Sequence, residues 1–179
     1  MTNRIQPVTE AKAQEPVKSL YSQLKQKIGR VPNIFLNMGN STEALQAFLA
    51  LSDLVEKSSL SSPLKSKIAL ITAQTNNCNY CLSAHSAIAK AAGLADAEIV
   101  KARKGAADDA KEKAILAFVK KVVATRGDAS DEDVAQVQKA GVSDKELAEI
   151  VLTIALNFYT NLFNKVTGTP VDFPVVANL

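Results

Sequence analysis

Cysteine and histidine are scarce in this sequence. Its 179 residues include two cysteines and one histidine. Two cysteines are too few for the disulfide framework of a small secreted domain, and a chain of this length can bury a hydrophobic core without such links. We therefore expect one domain, spanning residues 1–179, in which the cysteines are not needed as staples.

Long apolar runs are also missing. No stretch approaches the roughly 20 apolar residues of a membrane span. The opening stretch, MTNRIQPVTEAKAQEP, lacks the apolar centre of a signal peptide. Both absences favour a cytoplasmic protein without a membrane partner. In a reducing cytoplasm, a CxxC pair is more often catalytic or metal-binding than structural.

Aromatic residues and net charge are low as well. Aromatic residues make up 5% of the chain, tryptophan is absent, and the net charge is +3. The basic residues between positions 101 and 113 alternate with acidic ones, which is typical of a solvated helix face. No platform for stacking nucleic-acid bases is present, so we expect no nucleic-acid partner.

Helical periodicity runs through most of the chain, and no segment has the pattern of a strand. The spacing predicts an all-α fold. Ser143 and Glu146 form a capping-box pattern that begins the last long helix. The apolar spacing predicts that its buried stripe consists of Leu147, Ile150, Val151, Ile154, Ala155, Phe158 and Leu162. The tail TPVDFPVVANL has two prolines and no helical period, so we expect an extended arm.

Both cysteines and the histidine lie in TNNCNYCLSAHSAIAKAAG, residues 75–93. The Asn76-Asn77 pair predicts the end of one helix, because asparagine tolerates the left-handed conformation. A new helix starting near Cys78 places Cys78, Cys81 and His85 on one face. The N–H groups and dipole of its first turn favour a thiolate, and His85 could exchange a proton with it.

Three interpretations of these residues remain open. The cysteines can be small apolar fillers of the core. With His85 they can supply three ligands to zinc, although the chain has no other cysteine or histidine, so the fourth must be a carboxylate, a water or a second subunit. They can also form a redox dithiol. We favour the dithiol, which requires no metal.

The segment AQTNNCNYCLSAHSAIAKAAGL resembles the core motif of the AhpD-like, or carboxymuconolactone decarboxylase, family. The resemblance extends upstream to VPNIFLNMGNSTEALQAFLALS and downstream to LAEIVLTIALNFYTNLFNK. It implies a single all-α helical bundle assembled as a homotrimer or homohexamer. Members with the CxxCxxxH pattern act as alkylhydroperoxidases or thiol–disulfide oxidoreductases. The resemblance thus implies an oxidoreductase that uses a small peroxide and a thiol or dithiol donor, without a cofactor.

The family pattern also implies roles for the motif residues. Cys81 would be the peroxide-reactive thiol, Cys78 its resolving partner and His85 part of a proton relay. The family's relay glutamate lies twelve residues before the first cysteine, where this chain has Ser66. Its substitute in space could be Glu56, Asp53 or Asp172.

Two alternatives belong to other functional classes. A non-enzymatic, oligomeric redox sensor would keep only the oxidisable pair. A relative of the lactone-acid decarboxylases would not need the cysteines. For the assembly, we expect the apolar tail residues to lie on a neighbouring subunit, namely Phe173, Val175 and Val176.

Overall fold

The computed structural model describes residues 2–179 of the chain. In this part of the chain there are nine α-helices and no β-strand, which confirms the all-α prediction. The helices are α1 (Val17–Ile28), α2 (Asn33–Met38), α3 (Thr42–Glu56), α4 (Ser62–Thr75), α5 (Asn79–Ala91), α6 (Asp96–Arg103), α7 (Ala110–Thr125), α8 (Asp131–Lys139) and α9 (Asp144–Thr167). None of these helices is both long and apolar enough to cross a membrane.

Helix α4 is the centre of the bundle. The Ser61 hydroxyl caps it by accepting a hydrogen bond from the Leu64 N–H at 3.3 Å, and Pro63 occupies its first turn. The side chains of Ile68 and Leu70 are fully buried. Helices α5, α6, α7 and α9 all pack against α4. The core around α4 therefore fixes the position of α5, which contains the cysteine motif.

Helix α9 begins as predicted, with a capping box between Ser143 and Glu146. The predicted buried stripe is correct in part, since Leu147 and Phe158 are partly buried and pack against the core. Ile150 and Ile154 are buried, but Val151 is 50% exposed, Leu162 is 52% exposed and Ala155 is exposed. A polar face points inward instead, made of Thr153, Asn157, Thr160, Asn161, Asn164 and Thr167.

Every side chain of this polar face makes a hydrogen bond, although single atoms of Asn161 and Asn164 lack a partner in the described part of the chain. The Thr153 hydroxyl donates to the Glu149 carbonyl at 2.7 Å, one turn earlier in the helix. The Asn161 side-chain oxygen accepts a hydrogen bond from the Asn76 side chain at 2.9 Å. Buried polar groups are tolerated when they are hydrogen-bonded. Hydrophobic spacing alone therefore locates only part of the buried face of α9.

The last eleven residues form the predicted extended arm, but they lie on their own chain. The Arg30 guanidinium and the Asn33 N–H both donate to the Asp172 carboxylate, at 2.6 and 3.1 Å. The Val176 N–H donates to the Ser83 hydroxyl at 3.1 Å. Phe173 and Val176 pack against the core of the same chain, which corrects the expectation that they lie on a neighbouring subunit. Val175 is 79% exposed.

Exchanging polarity at two adjacent residues of α9 tests its orientation. Asn161→Leu removes a buried amide and the partner of Asn76, so we expect the free energy of unfolding to fall by about 1–3 kcal/mol. Leu162→Asn changes a half-exposed side chain and should cost less than about 1 kcal/mol. Urea denaturation of both variants measures the difference. The opposite order would mean that Leu162, and not Asn161, faces the core.

Candidate active site

A tight turn between α4 and α5 positions the first cysteine. Asn77 has the left-handed conformation, with φ of 51°, as the Asn-Asn pair predicts. The Cys78 N–H then donates to the Ala73 carbonyl of α4 at 3.0 Å. Cys78 becomes the N-cap residue of α5. The end of one buried helix thus fixes where the next helix, and its reactive group, begins.

The structure joins Cys78 and Cys81 in a disulfide, with their Cα atoms 5.3 Å apart. The Cys78 sulfur also caps α5, because it accepts a hydrogen bond from the Cys81 N–H at 3.3 Å. The two cysteines are 1% and 2% exposed. The first turn of a helix stabilises negative charge, so the same position favours a thiolate in the reduced protein.

Asn164 of α9 reaches the second sulfur. Its side-chain N–H₂ lies 3.4 Å from the Cys81 sulfur, and the residue is 3% exposed. The prediction from sequence missed this residue. Asn157, Asn161 and Asn164 recur at helical spacing among apolar residues, and that pattern is the signal that could have found it. A buried amide donor aimed at sulfur can stabilise a thiolate there.

His85 lies on α5, two turns after its start, and is half-buried. Burial lowers the pKa of His85 to about 4. Its imidazole is therefore neutral near pH 7 and supplies no positive charge to a thiolate. No hydrogen bond joins it to either sulfur within residues 2–179. A neutral imidazole can accept a proton, so a role in proton transfer remains chemically suitable.

The candidate substitutes for the missing glutamate are mostly engaged elsewhere. Asp53 pairs with Lys57 at 2.6 Å and Glu56 with Lys65 at 3.4 Å. Asp172 lies beside the motif, bound to Arg30. Burial, and then the Asp172 carboxylate, raise the pKa of Tyr80, the residue that precedes Cys81. Asp172 therefore contacts the motif through Tyr80 and not through His85.

Ser66 is half-buried on α4, the helix that packs most extensively against α5. No hydrogen bond of its side chain is present in the described part of the chain. Residues 2–179 also hold no group of three or more histidine, cysteine, aspartate or glutamate side chains placed to bind a metal ion. The candidate site therefore consists of the sulfurs of Cys78 and Cys81, the N–H donors of Cys81 and Asn164, and the neutral imidazole of His85.

The model of the carboxymuconolactone decarboxylase family matches residues 42–124, which include the whole motif. Several solved structures share the fold of almost the whole chain. A peroxidase-related protein from Ralstonia eutropha, with an alkylhydroperoxidase AhpD core, is 21% identical with a TM-score of 0.85. The match covers 95% of this chain and 92% of that one. No protein of curated function matches the chain.

Two further structures show the range of proteins with this fold. A peroxidase-related protein from a Silicibacter species is 21% identical with a TM-score of 0.80, over 95% of this chain and 94% of that one. The debrominase Bmp8 is 22% identical with a TM-score of 0.81, over 96% and 94%. These likenesses establish the AhpD-like fold.

The low pKa of His85 predicts a specific loss of stability in mild acid. The unfolded chain protonates its histidine below about pH 6.5, and the folded chain only below about pH 4. Between these values the unfolded state binds more protons, so the free energy of unfolding falls as the pH is lowered, by as much as ~3 kcal/mol.

His85→Gln is the control for this loss, because the chain has no other histidine. The variant should show little slope between pH 6.5 and about pH 5, above the range in which the carboxyl groups of the unfolded chain, including Glu146, take up most of their protons. Urea denaturation across this range gives the slopes. Equal slopes in both proteins would mean that His85 titrates normally.

The contact of Asn164 with Cys81 predicts a change in thiol chemistry. In the reduced protein, Asn164→Ala removes a donor from the Cys81 sulfur and should raise the pKa of that thiol. The rate of alkylation against pH, with the modified residue identified by mass spectrometry, measures it. Asn157→Ala is the matched control, since its amide donates to the Thr153 carbonyl on the same face. Identical profiles for all three proteins would remove Asn164 from the site.

Proposed function

We propose that the chain is a thiol-dependent hydroperoxide reductase of the carboxymuconolactone decarboxylase family, whose model matches residues 42–124. The observation that supports this most directly is the Cys78–Cys81 pair, buried at the start of α5 with an N–H donor directed at each sulfur. A pair placed this way can alternate between dithiol and disulfide without rearranging the helix.

The proposed cycle has three steps. The Cys81 thiolate attacks the terminal peroxide oxygen, the O–O bond breaks, and the departing alkoxide takes a proton to become an alcohol, which leaves a sulfenic acid. The Cys78 thiol then attacks that sulfur and releases water, giving the disulfide seen in the structure. Finally, two equivalents of a thiol, or one dithiol, are oxidised to a disulfide and restore both cysteines.

The remaining groups have supporting roles in this proposal. The Asn164 amide stabilises the Cys81 thiolate at 3.4 Å. Neutral His85 accepts the thiol proton and returns it to the leaving alkoxide. Because Ser66 stands in place of the family's glutamate, no carboxylate orients the imidazole, and we expect a slower enzyme than members with the complete relay. A thiol of the reducing cytoplasm would be the donor.

The proposed reaction also requires that the peroxide and the thiol donor reach the sulfurs. Since both cysteines are almost fully buried, a substrate or donor can reach them only when neighbouring groups move. The C-terminal arm covers the start of α5 through a few polar contacts, such as the 2.8 Å hydrogen bond from the Asn178 amide to the Asn79 side chain. We propose that displacement of this arm opens the site.

Turnover by cysteine variants tests the proposal. We expect wild type to consume an alkyl hydroperoxide only when a thiol donor is present. Cys81→Ser should reduce consumption to the uncatalysed rate. Cys78→Ser should stop sustained turnover and leave a sulfenic acid on Cys81 that a dimedone probe labels, because no resolving thiol remains.

The same assay separates the alternatives. If the cysteine pair is oxidised once and no donor supports turnover, the protein is a redox sensor and not an enzyme. Label on Cys78 in the Cys81→Ser protein, with none on Cys81 in the Cys78→Ser protein, would reverse the order of the two thiols. Release of carbon dioxide from a lactone acid, unaffected by either cysteine variant, would favour a decarboxylase.

We also propose a homo-oligomer, a trimer or a hexamer. Helices α3 and α9 are adjacent, since the Ser59 N–H, shortly after the end of α3, donates to Glu149 on α9 at 3.1 Å. Leu54 is 57% exposed and Val151 is 50% exposed on these helices. A second copy of the chain would cover them.

A charge on this surface should disrupt assembly. We expect Leu54→Lys to lower the mass in solution toward that of one chain, because the interface would have to bury an unpaired ammonium group. Ile28→Lys is the matched control, since Ile28 is 47% exposed on a different helix, α1. Light scattering at micromolar concentration measures both. A monomeric wild type would contradict the proposed assembly. If the Leu54→Lys protein has the same mass in solution as wild type, the interface does not include Leu54.

A further inference from the structure

A small pocket lies beside the cysteine motif, at the adjoining C-terminal ends of α4 and α9. Its volume is about 260 Å³, and its lining consists of Arg4, Asn76, Asn161, Leu162, Lys165 and Val166. No acidic residue lines it. The exposed side chains of Leu162 and Val166 provide an aliphatic wall. The pocket thus combines positive charge, amide groups and an apolar surface.

The two cations of the pocket are bound only to carbonyl groups. The Arg4 guanidinium donates through Nη1 to the carbonyls of Lys165 and Val166, both at 3.2 Å. The Lys165 ammonium donates to the Asn76 carbonyl at 3.0 Å. Among residues 2–179, neither cation has a carboxylate within 4.0 Å. Each therefore keeps donors and charge available for an anion.

Asn161 adds a polar group that lacks a partner. The residue is 1% exposed. Its side-chain oxygen accepts a hydrogen bond from Asn76, whereas its side-chain nitrogen has no acceptor in the described part of the chain. Leaving a buried amide donor unsatisfied is costly. Because Asn161 also lines the pocket, a ligand oxygen that reaches this donor would satisfy it.

We propose that this pocket binds the carboxylate of an aliphatic ligand. The planar guanidinium of Arg4, the Lys165 ammonium and the Asn161 amide suit carboxylate oxygens. The alkyl chain would lie against Leu162 and Val166. The volume suits a small fragment and is below that of most drug-sized sites.

Two asparagines, Asn164 and Asn76, connect the pocket to the cysteine motif. Asn164, one helical turn beyond Asn161, contacts the Cys81 sulfur. Asn76 precedes Cys78 by two residues and donates to Asn161. On the basis of the proposed function, the bound carboxylate belongs to one of the two reactants. It anchors either a hydroperoxide or a thiol donor, and the site selects anionic, aliphatic molecules.

Binding can be measured without any turnover. Hexanoate is titrated into the full-length, oxidised protein, and the side-chain amide signal of Asn161 is followed by NMR. We expect a saturable shift with hexanoate and none with methyl hexanoate, which lacks the charge. Lys165→Met should weaken hexanoate binding about tenfold, the effect of losing one charge-assisted contact. Lys139→Met, on α8, is the matched control and should bind like wild type.

Three outcomes of the titration would overturn the proposal. One is the absence of a saturable shift, and another is an equal shift with the ester. The third is unchanged binding by Lys165→Met together with a lower oligomer mass, which would assign the cations to a neighbouring copy of the chain. Because this assay needs no catalysis, failure of the hydroperoxide reductase proposal leaves its result intact.

Kinetics then identify which reactant has the carboxylate. Lys165→Met and wild type are compared with a carboxylate-bearing hydroperoxide and its methyl ester, and with a carboxylate-bearing thiol and its methyl ester. We expect the KM of only one charged reactant to rise about tenfold in the variant, with kcat retained. Equal effects on charged and neutral forms of both reactants would contradict a carboxylate subsite for this reaction.

Discussion

The short backbone turn between α4 and α5 is the constraint on which the site depends. The hydrogen bond from the Cys78 N–H to the Ala73 carbonyl closes α4 and leaves Cys78 as the cap of α5. The Cys81 N–H can then reach the Cys78 sulfur, and the two sulfurs lie within bonding distance. Because α4 is held on several sides by other helices, this geometry is part of the rigid core and not of a flexible loop.

The inward polar face of α9 is the second determinant. It brings Asn164 to the Cys81 sulfur and Asn161 to Asn76. The same rotation of the helix leaves Val151 and Leu162 on the outside. The orientation of α9 therefore has three consequences: an amide donor lies beside the Cys81 sulfur, a pocket with polar groups lies next to it, and two large apolar side chains are exposed.

Local patterns in the sequence predicted the parts of the fold that depend on neighbouring residues. The Asn76-Asn77 stop, the start of α5 and the Ser143 cap follow from backbone preferences, which act over a few residues. The inward face of α9 could not be predicted this way. Its threonines and Asn157 bond to their own helix, whereas Asn161 and Asn164 contact distant segments, so burial of this face depends on partners that hydrophobic spacing does not show.

The same distinction applies to the candidate site. The motif residues could be chosen from spacing and family resemblance, but the charge of His85 depends on the packing around its ring, which lowers the pKa to about 4. The location of Asp172 beside Tyr80 depends on the path of the arm across α5. Both are consequences of contacts between segments far apart in the chain.

A single-turnover reaction tests the central claim most directly. Fully reduced protein is mixed with one equivalent of cumene hydroperoxide and examined by intact-mass spectrometry after alkylation. We expect one equivalent of the alcohol and a chain that has lost two hydrogens, with Cys78 and Cys81 joined and neither alkylated. Unreacted peroxide together with two alkylated cysteines would contradict the assignment of this pair as a peroxide-reducing centre.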